Sequence, residues 1–295
     1  MANAPTLSNK ISLHDVGKSI ADEGHVPLLR NELLFISTSM DHATSTDTTI
    51  LCETYQIKTV ISTDAWKHKR YIVDTKASGR HVREVFAVEN VLGLSSVRIN
   101  LRGDTFLKNI INGLPRSAKL RYEADARTKN IRDPSMLQQS RDLVWNRDSL
   151  DDIFLVLVSS ATLIGKCFNN VLAKEDMYPL IISGDRAMRD NTLIVFLLLL
   201  MLDIPVSSMD RAYLQMTNRL PLDLADGSDA DWAHRLRNAG WGKNRSIWTR
   251  ELCRRIDTKY GSASKLFTVM GVTAETIDGI KSIMLAPKTT NLIDF

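Results

Sequence analysis

An α/β fold, with a central and mainly parallel sheet flanked by helices, is predicted from three features of the sequence. Short apolar, β-branched runs alternate with longer segments whose apolar residues recur at helical spacing. The clearest unit spans residues 178–212, where a short apolar run, a charged turn and a long apolar segment follow one another. Composition supports a large core: of 295 residues, 44% are hydrophobic and 24% charged, which are ordinary globular values. One α/β domain of residues 1–295 is therefore expected, with no internal repeat and no low-complexity stretch.

Taken in order, residues 1–10 are a loose polar start, and residues 13–17 (LHDVG) are a short apolar–polar segment ending in a turn. Residues 31–37 (NELLFIS) read as a strand, and residues 44–55 as a short helix with Thr44 or Ser45 as N-cap and Asp47 in its first turn. Residues 57–62 (IKTVIS) are β-branched and apolar, as a buried strand requires. The polar residues 64–83 read as a loop, residues 84–88 as an outer strand and residues 96–101 (SVRINL) as another strand. Helical spacing then takes over at 104–112, 118–128 and 135–145, broken at Gly113-Leu114-Pro115 and Asp133-Pro134. This helical insertion, residues 104–148, falls between two predicted strands and is a natural lid. A longer amphipathic helix over 150–172 delivers the chain to the apolar strand 179–182.

Residues 183–190 form a compact loop with four ionisable side chains: Asp185, Arg186, Arg189 and Asp190. The apolar stretch 191–202 is too long for a strand and reads as a buried helix. Ile204-Pro205 stops it, and residues 208–218 begin a further helix. Residues 220–248 are polar and rich in turn formers, residues 247–259 are helical, and 262–270 and 273–285 read as two helices joined by Gly271 as C-cap.

Bulk properties exclude several classes. The net charge of +4, from 38 basic and 34 acidic residues, is a mild excess with no basic run of five, so neither nucleic acid nor a membrane is called for. Cys52, Cys167 and Cys253 are odd in number and far apart, which fits a reducing compartment rather than a disulfide framework. The histidines show no metal-ligand spacing, and no cofactor pattern is present. The longest apolar run is about half the roughly 20 residues of a membrane helix, and no secretory segment opens the chain. A cytoplasmic protein acting without metal or cofactor is expected.

A strand that feeds a helix through a tight loop is an anion site, because free backbone N–H groups and the helix dipole converge there. Asp185 and Arg186 place opposite charges in that loop, either as solvated loop charges or as an acid–base and charge-stabilising pair. Asp64 follows a predicted strand at the carboxyl end, where α/β sheets place ligands, and reads either as a ligand contact or as a turn residue. Asp104 reads as the N-cap of the helix that follows it.

Four stretches together resemble a known family. LHDVG at 13–17 resembles an opening N-F-R-D-x-G, and residues 34–60 resemble an L-x-R-S…Y-G-I-K-T-V segment. Residues 177–202 resemble a strand, an H-C-x-x-G-K-D-R-T-G phosphate loop and an apolar helix, and residues 260–285 resemble a closing pair Y-G-S…I-G-V-T…I-x-x-I. The chain is thereby similar to the protein tyrosine phosphatase-like family of fungi and bacteria, which implies a cysteine-phosphatase-like fold over nearly its whole length. The resemblance places Arg189 at the family's anion-holding arginine, where it either grips an anion or ties the loop to Asp185 or Asp190. It places Ser183 where the nucleophilic cysteine belongs, before Gly184. Arg186 replaces a glycine, Asp190 a threonine or serine, Ile182 a histidine and His14 an arginine. Asp104 lies near a position where such phosphatases carry an acid.

Phosphocysteine chemistry needs a thiolate, so family-type phosphatase activity is not expected. Two readings remain. In the first, an enzyme performs acid–base catalysis on a small, anionic molecule (isomerase, cyclase or lyase type, as in natural-product biosynthesis). Asp185, Arg189, Asp190 and Asp64 would be its catalytic residues, and Ser183, Gly184, Arg186, Asp104 and His14 its ligand contacts. In the second, a non-catalytic pseudophosphatase binds an anionic ligand or a protein partner. Oligomeric state is left open by the sequence.

Overall fold

The computed structural model describes residues 7–8, 11–21, 29–38, 40, 43–63, 86–91, 94–117, 119–120, 149–184, 190–218 and 248–286, with backbone alone at 86–91, 104, 107, 149 and 214–218. The strands are β1 (Leu13–Asp15), β2 (Leu34–Thr38), β3 (Thr59–Ser62), β4 (Phe86–Val91), β5 (Leu94–Ile99) and β6 (Leu180–Gly184). The helices are α1 (Val16–Ala21), α2 (Ser45–Glu53), α3 (Asp104–Asn112), α4 (Ser149–Cys167), α5 (Asp190–Met201), α6 (Val206–Asn218), α7 (Trp248–Tyr260), α8 (Ala263–Met270) and α9 (Ala274–Met284). Among the described residues the sheet has six strands in the order β1-β2-β6-β3-β5-β4. The four inner strands are parallel, and β1 and β4 pair antiparallel at the two edges. The predicted α/β architecture with a mainly parallel sheet is present.

The parallel strands are apolar on both sides because helices cover both faces. Leu34, Ile36, Ile61, Val97, Ile99, Leu180 and Ile182 point into the larger core, which α1 and α3 to α9 complete. Phe35, Val60, Leu94 and Ile181 point the other way, into a smaller core closed by Leu51 of α2 and by Ile57. α5 is buried nearly all round, as its unbroken apolar sequence requires.

Local signals fixed several helix ends. Thr44 caps α2 in a capping box with Asp47. Ser262 and Thr273 cap α8 and α9, and Gly271 ends α8 at φ 77°, a left-handed conformation that favours glycine. Other boundaries differ from the sequence reading. The segment 13–17 does not end in a turn: β1 runs straight into α1. The helix predicted over 150–172 bends at Ser160, whose hydroxyl donates to the Leu101 carbonyl oxygen, and ends in a π-helical turn at Phe168–Leu172. The kink falls where this side chain reaches out of the helix to the segment after β5. Most of the predicted loop 64–83 and the helices 118–128 and 135–145 lies outside the described residues.

Asp47 sits at the centre of the α2 cap. Ser8 N–H donates to Asp47 Oδ1 at 2.7 Å, Ser8 Oγ and Thr44 N donate to Oδ2 at 3.0 and 2.9 Å, and Thr44 Oγ1 donates to Oδ2 at 2.7 Å. The Ser8 amide, aided by Thr44, pulls the carboxyl down to about 2 against the opposing effect of burial. The folded value lies below the unfolded one of about 3.9, so Asp47 stabilises the fold above pH ~5, and this contribution is lost as pH falls toward 2. Urea titrations from pH 5 to 2 should show a loss of about 1–2 kcal/mol in the wild type that is missing from Asp47→Asn. Parallel pH profiles for the two proteins would contradict the assignment.

Candidate functional site at the carboxyl ends of the central strands

β2 leads to α2 on the face of the smaller core, whereas β6 leads to α5 on the face of the larger one. Adjacent strands whose following helices take opposite faces leave a crevice at their carboxyl ends, which is where open α/β sheets bind ligands. The fold therefore selects the ends of β2 and β6, at Ser37-Thr38 and Ser183-Gly184, with no reference to any family.

This strand end is tightly built. Thr63 N and Oγ1 both donate to the Ser183 carbonyl oxygen, at 3.0 and 3.1 Å. Asn191, in the first turn of α5, donates from Nδ2 to the Ser37 carbonyl oxygen at 3.0 Å, and its Oδ1 accepts from Thr192 N at 2.8 Å. β2, β6, β3 and the start of α5 are thus tied together on either side of residues 185–189. Gly184 permits this: a Cβ there would collide with Thr63 Oγ1 and lie 3.1 Å from Asn191 Cβ. Ser183 is fully buried, and its Oγ makes no hydrogen bond among the described residues.

Ser183 also belongs to a row. It is in register with Ser37 of β2 and Ser62 of β3, and Ser62 is in register with Arg98 of β5. Two residues earlier the same face carries Phe35, Ile181 and Val60. The sheet thus changes from apolar to polar at its carboxyl end, on the α2 face.

Asp190 begins α5 and is 2% exposed. Arg102, just beyond β5, donates from Nε to Asp190 Oδ2 at 2.9 Å and from Nη2 to Oδ1 at 2.8 Å. It also donates from Nη1 and Nη2 to Asp152 Oδ1 and Oδ2, at 3.0 and 2.7 Å. Asp152 lies in the first turn of α4 and is fully buried. The Arg102 guanidinium also stands 5.0 Å from the centre of the Phe106 ring. Burial disfavours its charge, but Asp152 and Asp190 outweigh that and hold it firmly cationic. One buried arginine therefore fastens the starts of α4 and α5 to the end of β5, and each carboxylate also suits its helix N-terminus.

Of the residues expected at the site, the structure brings Ser183, Gly184 and Asp190 to one end of the sheet. Asp185, Arg186 and Arg189 lie in the segment 185–189, and Asp64 directly after Thr63, all outside the described residues. Asp104 is the first residue of α3, whose N-cap position falls to Gly103. His14 is partly buried on the edge strand β1, opposite Ile36. Phe106 and Ile110 of α3 pack into the larger core, and Asn109 Nδ2 donates to Ser159 Oγ of α4 at 2.8 Å. A lid would thus have to come from residues 121–148, which are outside the described residues. Arg102, Asp152 and Asn191 were not read from the sequence. The available signal was an arginine directly after a strand, with aspartates opening two later helices.

Chemically, the described part of the site offers a buried hydroxyl with no base bonded to it, and both oxygens of Asp190 accept from Arg102. Among the described residues no cluster of His, Cys, Asp or Glu could hold a metal ion, and no helix is long and apolar enough to cross a membrane. Burial pushes the Cys167 thiol up to about 12; burial, then Asp257 and Asp210, pushes Cys253 up to about 11. Neither is an activated thiol. No family model and no curated protein matches the chain.

Proposed function

We propose that the chain is a diverged cysteine-phosphatase-like protein that has lost phosphocysteine chemistry and acts on a small anionic molecule in the former phosphate pocket. The observation that carries this reading is the buried Ser183 hydroxyl, without a hydrogen-bond partner among the described residues, at the carboxyl end of β6 immediately before residues 185–189. The strand–loop–apolar helix unit at the middle of the sheet is the arrangement that the sequence resemblance calls for. In this reading Arg189 and the α5 N-terminus hold the anion. Asp185 and Asp64 serve as acid and base, and Arg186 steadies developing charge. Asp190 acts through position, since Arg102 already binds its carboxylate. The reaction class is isomerisation, cyclisation or lyase-type cleavage.

The absence of a described base beside Ser183 favours a second reading, a non-catalytic binder of the same anion. The two share a first test. Inorganic phosphate or sulfate at about ten times its Kd should stabilise the wild type by about 1.4 kcal/mol. Arg189→Ala should lose that gain, and neither protein should turn over a generic aryl phosphate. No stabilisation by either anion would sink both readings, and clear aryl phosphate hydrolysis would sink the loss of phosphatase chemistry. Incubating wild type and Asp185→Ala with small-molecule extracts, followed by mass spectrometry, separates the two. Conversion by the wild type alone identifies the enzyme.

A further inference from the structure

Behind the first turn of α5, three helices meet around a void of about 10 Å³. Its walls include Thr192 and Phe196 of α5, Met209 and Tyr213 of α6, and Trp248 and Thr249 of α7. The Trp248 ring lies stacked on Tyr213, with centroids 4.8 Å apart and planes 5° apart, and it meets Phe196 edge-on at 5.7 Å. These contacts fix the indole, and with it the direction of its N–H. Trp248 Nε1 and Thr249 Oγ1 are both buried, in residues 3% and 1% exposed, and neither makes a hydrogen bond among the described residues.

Buried polar atoms nearly always have a partner, and an indole N–H has only one way to find one, by donating. Trp248 and Thr249 both line this void, so their two unpartnered atoms are read together. A void of this size holds about one water molecule, and a water needs at least two polar partners to stay. We propose that this void is a binding site for a single internal water, which accepts from Trp248 Nε1–H and exchanges a hydrogen bond with Thr249 Oγ1. Because Thr192 follows Asn191 directly, the water is part of the support beneath the helix turn that ties β2 to β6.

The test is water–protein cross-relaxation in the full-length protein by NMR, read at the indole N–H signals. Trp248→Phe assigns the Trp248 signal among the five tryptophans. The expected result is a cross-peak to water with the sign of a slowly exchanging molecule. Thr249→Val should weaken it at least twofold, while Thr249→Ser, which keeps the hydroxyl, should leave it intact and serves as the folded control. A Trp248 indole signal without a water cross-peak, or with the sign of freely exchanging bulk water, overturns the proposal. So does a cross-peak that Thr249→Val leaves unchanged.

Discussion

Arg102→Ala is expected to lower folding stability by about 3–5 kcal/mol, measured as a shift of the urea midpoint. The size follows from what is left behind. Arg102 makes four charge-assisted hydrogen bonds of 2.7–3.0 Å to Asp152 and Asp190. Removing it takes the guanidinium away from two carboxylates that are 0% and 2% exposed. Arg102→Lys keeps the charge but not the planar fork, so it should lose less than alanine and clearly more than nothing. Asp152→Asn removes one charge while Arg102 still serves Asp190, and should fall between them. The surface group Glu251–Arg254–Arg255 has similarly short contacts, but it is solvated and should give no comparable effect. A loss below about 1 kcal/mol for Arg102→Ala would mean that water reaches the triad and that α4 and α5 are not fastened through it.

The same triad shows where the sequence became illegible. Caps such as Thr44 with Asp47, or Ser262 and Gly271 around α8, act within four residues, and so they are visible in the local pattern. The long apolar run of α5 could hardly be anything but a buried helix. Arg102, by contrast, finds its partners 50 and 88 residues away, and nothing in Leu101-Arg102-Gly103 separates a buried arginine from a solvated one. The antiparallel pairing of β1 and the contact at the Ser160 bend are of the same kind, because the partners lie on other elements. The candidate site divides along this line. That a strand and a buried helix flank residues 185–189 was readable from a local apolar pattern. That Asp190 would be occupied, and that Asn191 and Thr63 would tie the strand ends, was not. Propensity and period carry the first kind of information; the second exists only once the sheet order is known.

Ser183→Cys is expected to give a thiol whose apparent pKa lies below about 7.5, in the range of cysteines at helix N-termini. Two opposed effects meet at this position. Residue 183 is fully buried, and burial alone would raise a thiol, as it does for Cys167 at about 12. Against this stand the α5 N-terminus and the backbone N–H groups that the proposed anion site requires in the 185–189 loop. If those groups converge on residue 183 they stabilise the thiolate, and the second effect wins. Site-resolved alkylation, followed by mass spectrometry across a pH series, reads the outcome from its pH dependence rather than from its rate, so limited access does not distort it. A pKa near 6 rather than 9 makes the thiolate fraction at pH 7 about a hundredfold larger. A value above about 9 would show burial alone at work and would remove the anion cradle from the proposed function. Turnover of an aryl phosphate should still be absent in Ser183→Cys. Arg186 and Asp190 replace a glycine and a hydroxyl residue of the resembled loop, and Asp190 is held by Arg102. Restored turnover would show instead that the missing cysteine alone separates this chain from a phosphatase.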